Sequence, residues 1–127
     1  RTQDVKEMSA VTRNIMKGLD YEFIINRRTE NFKILDVAFG KINKIKLHVA
    51  DGAFMYPLYI EYGEEIRKRL QKEKVYIPTL WPDVFDICTP DDLEYNMARN
   101  ILPIPVDQRY NVEDMQYLIR EVKACID

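Results

Sequence analysis

Proline placement is the sequence feature that most restricts the fold of this chain. The apolar and aromatic run over residues 54–60 contains Pro57, and the run over residues 101–106 contains Pro103 and Pro105. Runs of this composition favour strands, but a proline has no N–H to donate to a neighbouring strand. Such strands lie at a sheet edge or contain a bulge. We therefore expect them in a small, mainly antiparallel sheet.

Helical spacing dominates residues 1–40. Apolar side chains at intervals of three and four predict a helix over residues 4–16, and a second helix that Asp20 caps and Gly40 ends. One apolar stripe of the second helix contains Arg28. Its charged head either reaches solvent beyond a packed stem or meets a partner on another domain. The stripe consists of Tyr21, Ile24, Arg28, Phe32, Leu35 and Phe39.

Shorter elements follow the first strand. The pattern predicts an amphipathic helix over residues 63–74 and a strand over residues 75–77. Thr89 as N-cap and Pro90 at the first helical position predict a helix that runs to Arg99. Asn111 caps a last helix. The inner face of that helix is Val112, Met115, Leu118, Ile119 and Val122.

This order of elements indicates an α+β fold in which the helices lie on one face of the sheet. A chain of 127 residues fits a single domain. Within it, residues 1–40 are expected to form a helical strut, and residues 41–127 a small sheet domain. The first residue is not Met, so we expect either a processed chain or the C-terminal part of a longer protein.

Charge and composition exclude several classes of protein. The chain has 19 Lys and Arg against 21 Asp and Glu, which rules out a strongly basic nucleic-acid binder. No apolar run approaches the roughly 18 to 20 residues of a membrane span, and the polar N-terminus is unlike a signal peptide. We therefore expect a cytoplasmic protein that binds neither nucleic acid nor membrane. Cys88 and Cys125 are expected to be free thiols, with a disulfide between them as the alternative.

No self-sufficient active site is visible. His48 is the only histidine and Ser9 the only serine, and no nucleophile motif surrounds either. His48 is expected to be a half-exposed residue near a strand. Glycine-rich phosphate loops and cysteine–histidine metal patterns are absent. Paired acids occur in the first turns of predicted helices, where the helix dipole accounts for them.

Two segments, residues 76–83 and 102–110, combine rigid prolines with aromatic and charged side chains. In one interpretation, Trp81 fills the core and Arg109 pairs with Asp107 or Asp114. In the other, both segments line one edge of a shared pocket, where Arg109 receives a carboxylate or phosphate.

Several motifs resemble one known family. Arg28-x-x-Asn31-Phe32-x-x-Leu35 is similar to the R-x-x-N-(Y/F)-x-x-L of the DegT/DnrJ/EryC1/StrS family of fold-type I, pyridoxal-phosphate-dependent sugar aminotransferases. Residues 55–60, 64–78 and 102–115 resemble, in the same order, later segments of that family's C-terminal small domain. The resemblance covers residues 20–126.

The resemblance implies a fold-type I small domain that is inactive alone. The family's Schiff-base lysine and its pyridoxal phosphate site belong to a large domain that no part of this chain matches. We therefore expect no catalytic, cofactor-binding or metal-binding residue here. Pyridoxal 5'-phosphate is expected only in the intact protein, a homodimer of polysaccharide or amino-sugar biosynthesis. The substrate-side candidates are Tyr56, Trp81 and Arg109, and the candidates for contact with the missing large domain are Arg28, Asn31 and Phe32.

Departures from the family pattern concern the substrate. Residues 56–60 stand where many members carry H-x-F-x-I, and residues 80–82 stand where they carry H-Y-P. The substrate therefore need not be a nucleotide sugar.

The alternative is a free-standing, non-catalytic binding or scaffold module with the same fold. Arg28 would then be satisfied within the chain, and both N-terminal helices would pack inward. As a small domain without its partner, the chain is instead expected to expose an apolar patch at Tyr21, Ile24, Phe32 and Leu35, and to self-associate. A third option, a small hydrolase, lacks a nucleophile–base pair.

Overall fold

The computed structural model describes residues 4–126. Over these residues the chain forms six helices and one two-stranded antiparallel sheet, which confirms an α+β fold. The elements in order are α1 (Ala10–Lys17), α2 (Tyr21–Phe39), β1 (Met55–Tyr59), α3 (Gly63–Lys72), α4 (Val84–Ile87), α5 (Leu93–Asn100), β2 (Ile101–Pro105) and α6 (Val112–Ile126).

The prolines of the sheet lie at positions whose backbone groups point away from the other strand, so they remove no hydrogen bond between β1 and β2. Pro57 of β1 lies opposite Pro103 of β2. Tyr59 donates its N–H to Asn43 Oδ1 at 3.1 Å and accepts from the Lys44 N–H at 2.8 Å, so its backbone groups point away from β2. Because backbone direction alternates along a strand, the prolines also point their missing donors outward. The expectation of edge strands is confirmed.

The strand predicted over residues 75–77 is wrong. This segment is extended and buries Val75 and Ile77 in the core, but it joins no ladder. The neighbouring outer edge of β2 explains the failure, because Pro103 and Pro105 offer no N–H to a third strand.

Two helix starts also differ from expectation. Helix α1 begins at Ala10 rather than at residue 4, and Ser9 caps it by accepting from the Thr12 N–H at 3.1 Å. Thr89 does not cap α5. Its N–H and hydroxyl both donate to the Asp92 carboxylate, at 2.7 and 2.9 Å, and the helix begins after Asp92.

Other elements agree with their prediction. Asp20 caps α2 by accepting from the Phe23 N–H at 3.0 Å, and Gly40 ends that helix. Helix α3 begins at Gly63 as predicted and ends two residues early, at Lys72. On α6, Met115 and Val122 are buried as expected.

The core begins partway along α2. Its buried apolar side chains come from α2, both strands, α3, α6 and the extended residues 75–77. Helix α1, in contrast, has no buried residue. The deepest side chains of the core are Leu35, Phe39, Tyr56, Leu58, Leu70, Leu102, Ile104, Val106, Met115 and Val122.

The predicted exposed patch is therefore corrected. Phe32 and Leu35 are buried in the core. A group of exposed apolar side chains lies nearer the N-terminus, on and around α1 and on the first turns of α2. They are Met8, Val11, Ile15, Met16, Leu19, Tyr21, Phe23 and Ile25.

The remaining expectations concern single residues. His48 is exposed in an irregular segment and not in a strand. Cys88 and Cys125 are free, and burial raises the pKa of the Cys125 thiol. Among residues 4–126, no helix carries an apolar stretch long enough for a bilayer.

Candidate functional site

A cleft of about 300 Å³ lies between the extended segment after α3 and the outer edge of β2. Tyr76, Pro78 and Leu80 line it from the first side, and Pro103 and Pro105 from the second. The rest of the lining is Arg28 of α2, Phe54 and Met55 at the start of β1, and Asp107, Arg109 and Tyr110 of the loop after β2. Both proline-rich segments therefore border one cleft, as the second of the two interpretations expects, although Trp81 is not among the lining residues.

Asn31 holds the loop that borders the cleft. This residue is fully buried, and its Nδ2 donates to the carbonyls of Asp107 and Tyr110, both at 3.1 Å, and to Val106 at 3.4 Å. Carbonyls buried without a donor are costly. One side-chain amide therefore fixes the turn that leads from β2 toward α6.

Arg28 lies one turn before Asn31 and reaches the same loop. Its Nε donates to Gln108 Oε1 at 2.8 Å. Its two terminal nitrogens, Nη1 and Nη2, have no hydrogen-bond partner among residues 4–126. The stem is half-buried, so the guanidinium is held by the loop while its outer edge stays available in the cleft.

Arg109 is already paired. Its Nε and Nη2 donate to the two carboxylate oxygens of Asp107 at 2.9 and 3.0 Å. These bonds lower the pKa of the Asp107 carboxyl, and Arg28 lowers it further through its charge. The prediction of a local Arg109–Asp107 pair is confirmed. Among residues 4–126, Arg28 is the cation of the cleft that has no acidic partner within 4 Å.

Two substrate-side candidates lie outside the cleft. Tyr56 is fully buried and donates its hydroxyl to Asp36 Oδ1 at 3.1 Å. Burial raises the pKa of this hydroxyl. Tyr56 faces the core because it is an inward residue of β1. Trp81 is 60% exposed with a left-handed φ of 52°, so it neither fills the core nor lines the cleft.

Asn31 and Phe32 were expected to contact another domain, but both lie inside this chain. Asn31 bonds within the chain, and Phe32 is buried with its ring edge against Tyr56, 5.0 Å between centroids. Neither offers a surface to a partner. Arg28 has one partner within the chain, as the free-standing alternative expects. Helix α1 is exposed, whereas that alternative expects it to pack inward.

The sequence marks Arg28 as unusual but does not reveal the residue that it contacts. Arg28 is the one charged residue on an apolar stripe, but its partner Gln108 is 80 positions away. Tyr76 and Tyr110 also line the cleft. Both tyrosines belong to the segments of residues 76–83 and 102–110 that the sequence marks, but no local pattern shows which of their side chains meet.

The lining does not fit a pyridoxal phosphate site. Among residues 4–126, no lysine borders the cleft. Lys44 and Lys68, at two other cavities, pair with Glu61 and Glu64 at 2.8 and 2.7 Å, and Lys74 borders a third. Residues 4–126 hold no cluster of metal-binding side chains either. The donors of the cleft suit a carboxylate or phosphate instead.

A larger cavity of about 680 Å³ lies between α3 and the end of α6. Four isoleucines line it, together with the mutually satisfied pair Lys44–Glu61 and with Arg69, whose Nη1 donates to the Cys125 carbonyl at 3.1 Å. We favour the smaller cleft as the functional site because it lies between the two proline-rich segments that the sequence marks and because Gln108 holds its arginine, Arg28, in place.

No family model, curated protein or solved structure matches this chain. The likeness to aminotransferases remains a prediction from the sequence.

Proposed function

We propose that this chain is the non-catalytic small domain of an aminotransferase-like protein, and that its cleft binds the anionic group of a ligand. One observation carries the proposal. Arg28 presents two unpaired nitrogens in a cleft built from the two segments that the sequence singled out. Two parallel N–H donors match the two oxygens of a carboxylate or phosphate.

The neighbours of Arg28 have supporting roles. Gln108 accepts from Nε and so fixes the plane of the guanidinium. The Asp107–Arg109 pair neutralises a second arginine, which limits the cleft to one net positive charge. Tyr76 and Tyr110 supply apolar faces for the body of the ligand. None of these groups forms or breaks a covalent bond.

Pyridoxal phosphate enters this proposal only through the large domain of the intact protein. The isolated chain is expected to show no stable imine absorbance with pyridoxal phosphate. A stable, lysine-dependent band would overturn the assignment of catalysis to another domain.

The anion site is tested by calorimetry with acetate and inorganic phosphate. We expect saturable binding that Arg28→Gln weakens about tenfold or more, since a hydrogen bond to a charged group contributes about 1.5–3 kcal/mol. Lys33→Gln is the matched control, because Lys33 is an exposed cation on the same helix. Equal loss in both variants would mean that only net charge matters, and the proposed site would fall.

The free-standing module is the second candidate, favoured by the Arg28–Gln108 bond and by the burial of Asn31 and Phe32. The mass of the native polypeptide separates the two. An antibody against this chain is expected to detect, in the source cells, a protein much larger than 15.1 kDa. A native mass equal to that of the chain would favour the module.

A further inference from the structure

We propose that the cleft is one end of a longer groove that binds an extended acidic peptide. The proposal rests on the proposed function, since Arg28 anchors one end of the peptide in the same cleft. It adds the ligand class and a second half of the site.

The groove continues past Tyr76. A second cavity of about 340 Å³ shares Tyr76, Pro105 and Tyr110 with the cleft and extends to Lys74 and Tyr117. The two cavities therefore lie side by side along one surface, with the three shared residues between them. An elongated ligand fits this arrangement better than a compact one.

The wall of the groove is a strand edge that offers acceptors and almost no donors. The outward alternation of β2 turns the carbonyls of Ile101, Pro103 and Pro105 away from β1. Arg67 Nη2 binds the Ile101 carbonyl at 2.7 Å. No hydrogen bond reaches the other two carbonyls from residues 4–126. Pro105 is half-buried and borders both cavities.

A peptide backbone supplies what this edge lacks. Strand addition to a sheet edge pairs the N–H groups of the incoming chain with open carbonyls. Segment 75–77 of the protein lies nearby but does not make these bonds. We assign one peptide N–H to the Pro105 carbonyl, and the next outward N–H to the more deeply buried Pro103.

Charge selects an acidic sequence. Three cations, Arg28, Lys74 and Arg109, border the groove against two acids, so its net charge is positive. Asp107 is paired with Arg109, whereas Asp114 accepts from the Asn111 N–H at 2.9 Å and keeps its charge. Arg28 at one end and Lys74 at the other have no acidic partner within 4 Å among residues 4–126. Acidic side chains at both ends of a short peptide would complement these two cations.

Aromatic exposure supports a macromolecular ligand. Tyr76 is 71% exposed between the two cavities. Tyrosine and arginine are the residues that most often carry binding energy at protein interfaces. The groove combines both types around an open backbone edge.

Calorimetry with two synthetic peptides, acetyl-EAAE-amide and acetyl-EAAAE-amide, tests the proposal. We expect at least one of the two peptides to bind more tightly than acetate. Arg28→Gln and Lys74→Gln are each expected to lower the affinity for that peptide about tenfold. Lys33→Gln should leave the affinity unchanged. A peptide N-methylated at its central alanines should lose binding, because it cannot donate to the proline carbonyls.

The outcomes separate this inference from the proposed function. Acetate binding that depends on Arg28, without any preference for the peptides, would keep the anion site and overturn the groove. Peptide binding that survives N-methylation or Lys74→Gln would also overturn it. If neither acetate nor peptide binds, both proposals fall.

Discussion

At the scale of single residues, Arg28 and Asn31 account for the site. They lie one helical turn apart and bind the same loop, Arg28 through Gln108 and Asn31 through three carbonyls. The sequence could flag Arg28 because a guanidinium on an apolar stripe is unusual. It could not identify the partners, since hydrogen bonds across some 75 to 80 positions leave no local pattern.

Replacing Asn31 tests the loop anchor. Asn31→Asp removes the two amide donors and sets a carboxylate against three carbonyls, so we expect a loss of about 2 kcal/mol or more in the free energy of unfolding at neutral pH. Urea unfolding measures it. Asn14→Asp, at an exposed site on α1, should change stability little. Equal effects of the two variants would contradict the anchor.

The Asp107–Arg109 pair gives stability a pH dependence of known sign. The pKa of Asp107 is lower in the folded chain than in the unfolded chain, mainly because Arg109 donates to it. Its contribution is therefore present above the unfolded pKa of about 3.9 and is lost as pH falls through the folded pKa. The Arg109 side chain is exposed, so solvent screens the pair and the contribution to stability is small.

Asp107→Asn should remove this part of the pH dependence. Unfolding midpoints of variant and wild type are expected to differ at pH 7 and to converge at acid pH. The variant also frees Arg109, so acetate affinity should rise. A variant with unchanged pH dependence and weaker acetate binding would contradict the assigned role of the pair.

At the scale of elements, the two strands that contain proline were predictable. Whether the segment after α3 would pair as a strand was not. Residues 75–77 have strand composition, but pairing depends on the edge that a neighbour offers. That edge carries Pro103 and Pro105. The start of α5 was predicted too early, since Thr89 was expected to cap it. Thr89 instead donates to Asp92 and accepts no hydrogen bond from a backbone N–H of the helix.

Helix α3 meets the end of α5 at Gly63. A Cβ added there would clash with the backbone carbonyl of Asn100. We expect Gly63→Ala to cost about 1–3 kcal/mol, as overpacking of rigid backbone does. Gly18→Ala is the control, since its nearest contact would be an ordinary 3.5 Å. Thermal unfolding measures both, and a tolerated Gly63→Ala would contradict the close approach.

At the scale of the whole molecule, the N-terminal helix α1 does not contribute to the core. Every core residue lies after position 28, whereas α1 buries nothing. A helix of eight residues is rarely stable alone in water. The exposed side chains on it, Val11 at 69% and Ile15 at 64%, are therefore expected to pack against another surface.

Self-association tests that expectation. Sedimentation at rising concentration should show association in the wild type and less in the double variant Val11→Ser, Ile15→Ser, since the lost contact is apolar. Unfolding of the double variant should match the wild type, because neither side chain belongs to the core. A wild-type chain that stays monomeric at high concentration would contradict the prediction.

The most direct test of the anion site observes the arginine Nε–H groups by NMR while acetate is added. The account predicts a saturable shift of the Arg28 signal, with smaller changes at Arg109, and no saturable shift at the exposed Arg13. The shift should disappear in Arg28→Gln. Equal, non-saturating shifts at all three arginines would mean that the cleft has no anion site and would contradict the proposed function.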